Sequence, residues 1–344
     1  MKTGCSFPPT KPRLHLAALL LLLSQWPAWP DGTNQATAPI SFRVGMARIC
    51  FRNVNRNDAA ATFRAFLESA GRRQGNVFRA DIEVFDDTPS FESAIQQQPM
   101  NIVILSAWQF FTMDVHQQVK PFFSIMENGR VGRKYLVLTR RDSGLDTLAA
   151  LRGRDILQLE VASFYVAKAW LDARLLSEKL GTQETFFGSV EVVAKPTTAI
   201  LPVFFGQKPA CVVDEGSFDL MKELNPQVGR MLQVVAISDT YDDVVVCLRE
   251  EGWSSDKLKS DTIKSLKNLH TDPVGQQICT LFKIDRMVPF QDSQLDTVRK
   301  LRATYELLQK EGPPANRPPT ALSELGKDDL PPPGQPRQAR ANEP

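Results

Sequence analysis

The stretch Arg133–Glu160, RKYLVLTRRDSGLDTLAALRGRDILQLE, decides the fold, because two strand signals and a turn lie side by side in it. Tyr135–Leu138 is a continuous apolar run of strand length, and such runs suit strands covered on both faces, as in a parallel sheet. Asp142-Ser143-Gly144 carries turn chemistry. Leu145, Leu148 and Leu151 then recur at helical spacing until Gly153 stops the pattern ahead of Ile156-Leu157. The reading is strand, short crossover helix, strand, and it marks the entrance to a second lobe.

Working upstream, Ile40–Met46, Asp81–Phe85 and Ile102–Leu105 read as strands, separated by helices at Asp58–Ala70 and Ser90–Gln97. Ala61, Phe63, Ala65, Phe66 and Leu67 supply the first helix with its apolar face. Downstream the rhythm repeats: strands at Asp155–Glu160, Val190–Val193 and Cys211–Asp214, helices at Ser163–Ser177, Thr198–Phe205 and Ser217–Leu224, and the run Met231–Ile237. Val244–Leu248 returns the chain to the first lobe. Helices at Asp256–His270, Pro273–Phe282 and Ser293–Gln309 then cover the returned strand, the last through a stripe of Leu295, Val298, Leu301, Tyr305 and Leu308. The fold class is α/β: two doubly wound lobes joined by two crossover strands. Residues 39–132 plus 239–311 form lobe 1, and 133–238 form lobe 2.

The strand, DSG turn and L..L.G segment resembles the entry to the second lobe of two-lobed periplasmic solute-binding proteins. With FRVGMARICFRN (Phe42–Asn53), NIVILSAWQF (Asn101–Phe110), ACVVDEGSFDLM (Ala210–Met221) and DPVGQQICTLFKIDRMVPF (Asp272–Phe290), the likeness extends to the phosphonate-binding (PhnD-like) components of ABC importers. It covers roughly Ile40 to Lys310 and rests on the order of these segments. It implies a type 2 periplasmic-binding-protein fold and capture of a small solute for an importer. The family's Ser/Thr/Gly-rich turn after Asp155–Glu160 is replaced here by VASFYVAKAW, which takes Gly and Thr out of the phosphate cradle and puts Phe164-Tyr165 in their place.

Residues 1–38 read as a signal peptide and short leader. Lys2, Lys11 and Arg13 precede a ten-residue apolar run, Leu14–Leu23, which is about half the length a membrane-spanning helix needs. No cysteine follows the run to carry a lipid, so the expected location is the periplasm. In that oxidising compartment the spacing of Cys50, Cys211, Cys247 and Cys279 leaves their pairing open, and Cys211 and Cys247 sit in apolar strand-like runs that suit buried thiols. Residues 312–344 hold nine of the chain's 24 prolines and few large apolar side chains, the composition of a disordered tail.

In open α/β sheets ligands bind beyond the carboxyl ends of strands, where helix N-termini offer unpaired N–H groups. Three such turns stand out: Ser106-Ala107-Trp108, Ala162-Ser163-Phe164-Tyr165 and, after the strand that ends at Asp214, Glu215-Gly216-Ser217, with Phe51 as a further aromatic beside the first strand. The ligand-binding candidates are therefore Phe51, Ser106, Ala107, Trp108, Ser163, Phe164, Tyr165, Asp214, Gly216 and Ser217. Any one of these serines also reads as an ordinary N-cap. Arg48 and Arg52 offer positive charge, whereas Glu160, Asp214 and Glu215 oppose a simple anion, so the expected ligand is oxyanionic or zwitterionic.

A formal charge of +2 over 344 residues excludes a broad field for nucleic acid. Of three histidines, His116 and His270 fall outside the leader, and neither belongs to a catalytic or metal-binding motif. The acidic pairs Asp86-Asp87 and Asp242-Asp243 read as solvated loop residues. No enzyme, cofactor or metal is expected. The expectation is a monomeric exported protein that closes on a small ligand and delivers it to an ABC permease. The alternatives are a ligand-sensing partner of a membrane sensor kinase and, behind it, an exported enzyme on the same scaffold.

Overall fold

In the computed structural model, residues 39–51, 54–160 and 164–311 are described, so the leader at 1–38 and the tail at 312–344 lie outside the described residues. Among those described, strands segregate into two sheets. The larger holds β1 (Ile40–Ala47), β2 (Phe78–Phe85), β3 (Ile102–Ser106), β4 (Val119–Glu127), β5 (Arg130–Val131), β11 (Val244–Arg249) and β12 (Arg286–Pro289). The smaller holds β6 (Tyr135–Arg140), β7 (Asp155–Leu159), β8 (Ser189–Val193), β9 (Ala210–Asp214) and β10 (Leu232–Ile237). The helices are α1 (Arg56–Arg73), α2 (Thr88–Gln97), α3 (Ala107–Thr112), α4 (Phe164–Ser177), α5 (Gln183–Phe186), α6 (Pro196–Phe204), α7 (Glu215–Leu224), α8 (Pro226–Met231), α9 (Asp256–Lys267), α10 (Pro273–Phe282) and α11 (Asp296–Glu311).

Sequence and position agree strand by strand. β3 sits inside the larger sheet, whose order is β12-β4-β11-β3-β1-β2, and all five of its residues are buried. β2 is an edge strand: Phe78, Ala80, Ile82 and Val84 point inward while Arg79, Asp81 and Glu83 face solvent. One face of this sheet packs Phe42, Val44, Ile104 and Val246 against Phe63 and Phe66 of α1, Leu258 of α9 and Ile278 of α10. The second apolar cluster begins on the other face, at Val103 and Leu105, and continues through Val298 and Leu301 of α11 into Val137, Leu157 and Val212 of the smaller sheet.

The two-sheet α/β architecture expected from the sequence is the one observed, with three corrections. First, β6 runs antiparallel to both of its neighbours, β9 and β10, in a sheet ordered β10-β6-β9-β7-β8. Burial on both faces writes the same apolar run for either direction, so Tyr135–Leu138 carried no parallel signal. Second, no α-helix forms after the DSG turn. Gly144 and Gly153 adopt left-handed φ of 70° and 71° and bracket a short segment that forms only a 3-10 turn, Ala149–Leu151, although Leu148 and Leu151 are buried as the spacing suggested. Third, α11 does not chiefly cover the returned strand. It lies along α4, and its Tyr305 ring stands 6.2 Å from Trp108 of α3. Its apolar stripe is one a helix needs against any partner, so the partner was not encoded in it. The strands β4, β5 and β12 were not anticipated.

Two connections join the sheets, at 131–135 and 237–244. They lie against each other as a two-stranded ribbon. Arg133 N–H donates to Tyr241 O and Tyr241 N–H to Arg133 O, both at 2.9 Å. Ser238 N–H donates to Tyr135 O at 2.9 Å, and Tyr135 N–H donates to Ser238 Oγ at 2.8 Å. Gly132 makes this approach possible: its φ is 76°, and a Cβ there would sit 2.5 Å from Tyr241 O.

Candidate functional site

The turns at the strand ends are held by their own polar atoms. Ser106 caps α3, its Oγ accepting from Gln109 N–H at 3.1 Å while Gln109 Oε1 accepts from Ser106 N–H at 3.1 Å. Ala107 is buried and donates its N–H to Asp243 O at 3.0 Å. Trp108 is half-buried against α11. At the other end Asp214 caps α7, accepting from Ser217 N–H at 2.9 Å and from Ser217 Oγ at 2.6 Å. Gly216 lies beside Asn128 of the β4–β5 hairpin, and Glu215 pairs with Arg130 of the same hairpin at 2.7 Å. Ser163 lies outside the described residues, as does the side chain of Phe164, and Tyr165 is exposed.

Between the ribbon and the α1/α10 face of the larger sheet lies a cavity of about 80 Å³. Phe51, Phe63 and Phe282 form much of its wall, with Met46, Ile104 and Met287, and its polar lining is Glu127, Arg133, Asp242 and Asp243. Of the sequence candidates, Phe51 lines this space. None of the other described candidates lines it; the Ser106 turn is linked to it through the Ala107–Asp243 hydrogen bond, and the Asp214 turn pairs through Glu215 with Arg130 of the hairpin that follows Glu127.

The charges form one connected group. Arg133 pairs with Glu127 at 2.6 Å through Nη2 and with Asp243 through Nε, and Tyr135 Oη donates to Asp243 Oδ1 at 3.1 Å. Asp242, 4% exposed, accepts from Ser124 Oγ at 2.6 Å. Burial is the main influence on two of these carboxyls. It pushes Asp242 up to about 6 against the pull of the Ser124 hydroxyl, and it raises Glu127 against the pull of Arg133, with Asp214 adding repulsion. Three carboxylates thus face one guanidinium that two of them already engage. Cys50 also lines the cavity, but burial raises its thiol far above neutral pH, which keeps it protonated and unreactive. Cys211 and Cys247 are fully buried in β9 and β11, and all four described cysteines are unbridged.

Asp242 and Asp243 correct the sequence reading of a solvated acidic pair, since both are buried, at 4% and 5% exposure. The available signal was position: two acids immediately before the apolar run VVVCL, at the point where the chain returns to the first sheet. Glu127 and Arg133, six residues apart, were missed because the β-hairpin between them was not anticipated and their further partner, Asp243, is distant in sequence. Arg48, read as a possible anion contact, donates instead to Phe51 O at 2.9 Å and Val54 O at 2.6 Å and covers the Phe51 ring. Arg52 lies outside the described residues.

Comparison with known proteins places this geometry. A family model described as the periplasmic substrate-binding protein of phosphonate ABC transporters matches residues 54–295. No curated protein matches the chain. Among solved structures, XAC2383 from Xanthomonas citri bound to ATP is similar at 14% identity and TM-score 0.57, over 78% of this chain and 98% of that one. A binding-protein component of an ABC phosphonate transporter from Pseudomonas aeruginosa is similar at 12% identity and TM-score 0.54, over 79% and 88%. PhnD1 from Prochlorococcus marinus in complex with methylphosphonate is similar at 12% identity and TM-score 0.52, over 77% and 98%. Such identities establish a shared fold.

Proposed function

Because the chain belongs to the family of periplasmic phosphonate-type ABC-transporter substrate-binding proteins, we propose that it is exported, captures a small solute between two lobes by hinge closure, and hands that solute to an ABC permease. The moving units in this reading are 39–132 plus 239–311 on one side and 133–238 on the other, with the ribbon at Arg133 and Tyr241 as the hinge. The observation that carries it is the pair of connections hydrogen-bonded side by side between the two sheets, the arrangement a hinge needs. Contacts made from both sides exist only when the lobes are together, so a ligand shifts the population toward the closed shape that a permease recognises. The expected solute in this reading is oxyanionic or zwitterionic, as the phosphonate-type family implies.

The test begins with native mass spectrometry of the full chain purified from the periplasm, where a retained small molecule is expected. Small-angle scattering with that molecule at saturation should then show a smaller radius of gyration than without it. A radius unchanged at saturation removes hinge closure from the reading.

A further inference from the structure

Resting on the hinge-closure reading, we propose that Asp242 is a proton-operated latch: protonated, it ties the second connection through Ser124 to the turn that starts α11, and ionised, it releases that tie. Asp242 lies in the connection at 237–244, Ser124 in β4 of the larger sheet, and Gln294 in the 3-10 turn Asp292–Leu295 that leads into α11, the helix that lies along α4. Ser124 is fully buried. Its single hydroxyl hydrogen has two acceptors in reach, Asp242 Oδ2 at 2.6 Å and Gln294 Oε1 at 3.1 Å. Gln294 Oε1 also accepts from Gln291 N–H at 2.7 Å, which identifies it as the amide oxygen.

One hydrogen cannot serve both acceptors. With Asp242 ionised, the hydroxyl gives its hydrogen to the carboxylate, and the Ser124 and Gln294 oxygens face each other with none between them. With Asp242 protonated, the carboxyl donates to Ser124 Oγ and frees the hydroxyl to donate to Gln294 Oε1. An unbroken line of hydrogen bonds then runs from the connection across β4 to the start of α11. The surrounding titratable groups keep to other partners. Arg133 engages Glu127 and Asp243, the Tyr135 hydroxyl donates to Asp243, Tyr241 stacks on Tyr135, the Cys50 thiol stays protonated, and Asp292 beside the relay is exposed. Burial, against the pull of the Ser124 hydroxyl and the Val244 N–H, sets the Asp242 titration at about 6 rather than 3.8. The tie is therefore complete below about pH 4 and lost as pH climbs through 6, which couples lobe movement, and solute capture with it, to proton concentration.

Hydrogen exchange on the full chain, resolved to single amides and corrected for the intrinsic effect of pH, tests this. The readout is protection of the Arg133 and Tyr241 amides relative to those of Val103 and Leu105 in β3. In the parent this ratio should fall by about tenfold between about pH 4.5 and pH 7. Asp242→Asn, whose amide donates to Ser124 Oγ at any pH, should hold the ratio at its acid value throughout. Ser124→Ala cuts the relay at its middle and should give the neutral value even at about pH 4.5. Glu127→Gln should keep the step, which separates Asp242 from the other carboxyl that burial raises. A step that survives in Asp242→Asn, or disappears in Glu127→Gln, overturns the assignment. A flat ratio in the parent overturns the latch and leaves hinge closure standing, since the scattering comparison reads closure at a single pH. Ribbon amides that exchange as slowly as those of β3 at every pH remove both the latch and the ribbon's role as hinge.

Discussion

Two of the links between the sheets are built differently. The ribbon at 131–135 and 237–244 is short, hydrogen-bonded backbone to backbone, and braced by charges buried on either side of Arg133. The C-terminal helix α11 instead leans on α4 and α3 through side chains: Val298 and Leu301 in the apolar cluster, Tyr305 against Trp108, and the Tyr305 hydroxyl at the long distance of 3.5 Å from Asp172 Oδ2. Directional contacts fix a geometry, while apolar contacts between helix surfaces tolerate small slides. Under the hinge-closure proposal, the contrast would make the ribbon the pivot and α11 a bearing that accommodates movement about it.

The sharpest way to break that contrast is Arg133→Met. It removes the one cation between Glu127 and Asp243 and leaves the buried Asp243 carboxylate with only the Tyr135 hydroxyl, a loss of about 3 kcal/mol in urea denaturation. A loss below 1 kcal/mol would show that the ribbon does not depend on its charges. Next is Asp242→Asn, read as a function of pH. The folded carboxyl titrates near 6 against an ordinary value of 3.8, because burial penalises its charged form. The protonated acid therefore contributes stability that is complete below about pH 4 and lost as pH climbs through 6. The variant should match the parent near pH 4 and exceed it by about 2–3 kcal/mol at pH 7. A pH-independent difference would remove Asp242 as a titrating member of the cluster. Smallest is Tyr305→Phe, which drops only the long contact to Asp172 and should cost about 0.5 kcal/mol. A loss rivalling that of Arg133→Met would erase the distinction between pivot and bearing.

The elements themselves were largely legible. Ile102–Leu105, Pro273–Phe282 and Asp81–Phe85, the last part of a strand that begins at Phe78, carry their burial in their letters, because each packs against whatever apolar surface lies opposite. What the letters withheld was partnership. Tyr135–Leu138 reads identically in a parallel or an antiparallel setting, the stripe of α11 does not name the helix it meets, and β4 is weak as a signal because Lys120, Pro121 and Phe122 interrupt its burial. The site divides the same way. The turns at Ser106 and Asp214 announced themselves as helix starts and are helix starts. In the charge cluster Glu127 and Arg133 are only six residues apart, but Asp243 lies more than a hundred residues beyond Arg133, and no local pattern encodes a contact of that span.

The ribbon has one further consequence. Two extended segments stitched side by side form a strip that flexes easily out of its own plane and resists shear and stretch within it. Any swing of one sheet against the other is thereby confined to a single coordinate, so one pair of spectroscopic labels, one on α1 and one on α6, would follow the entire excursion.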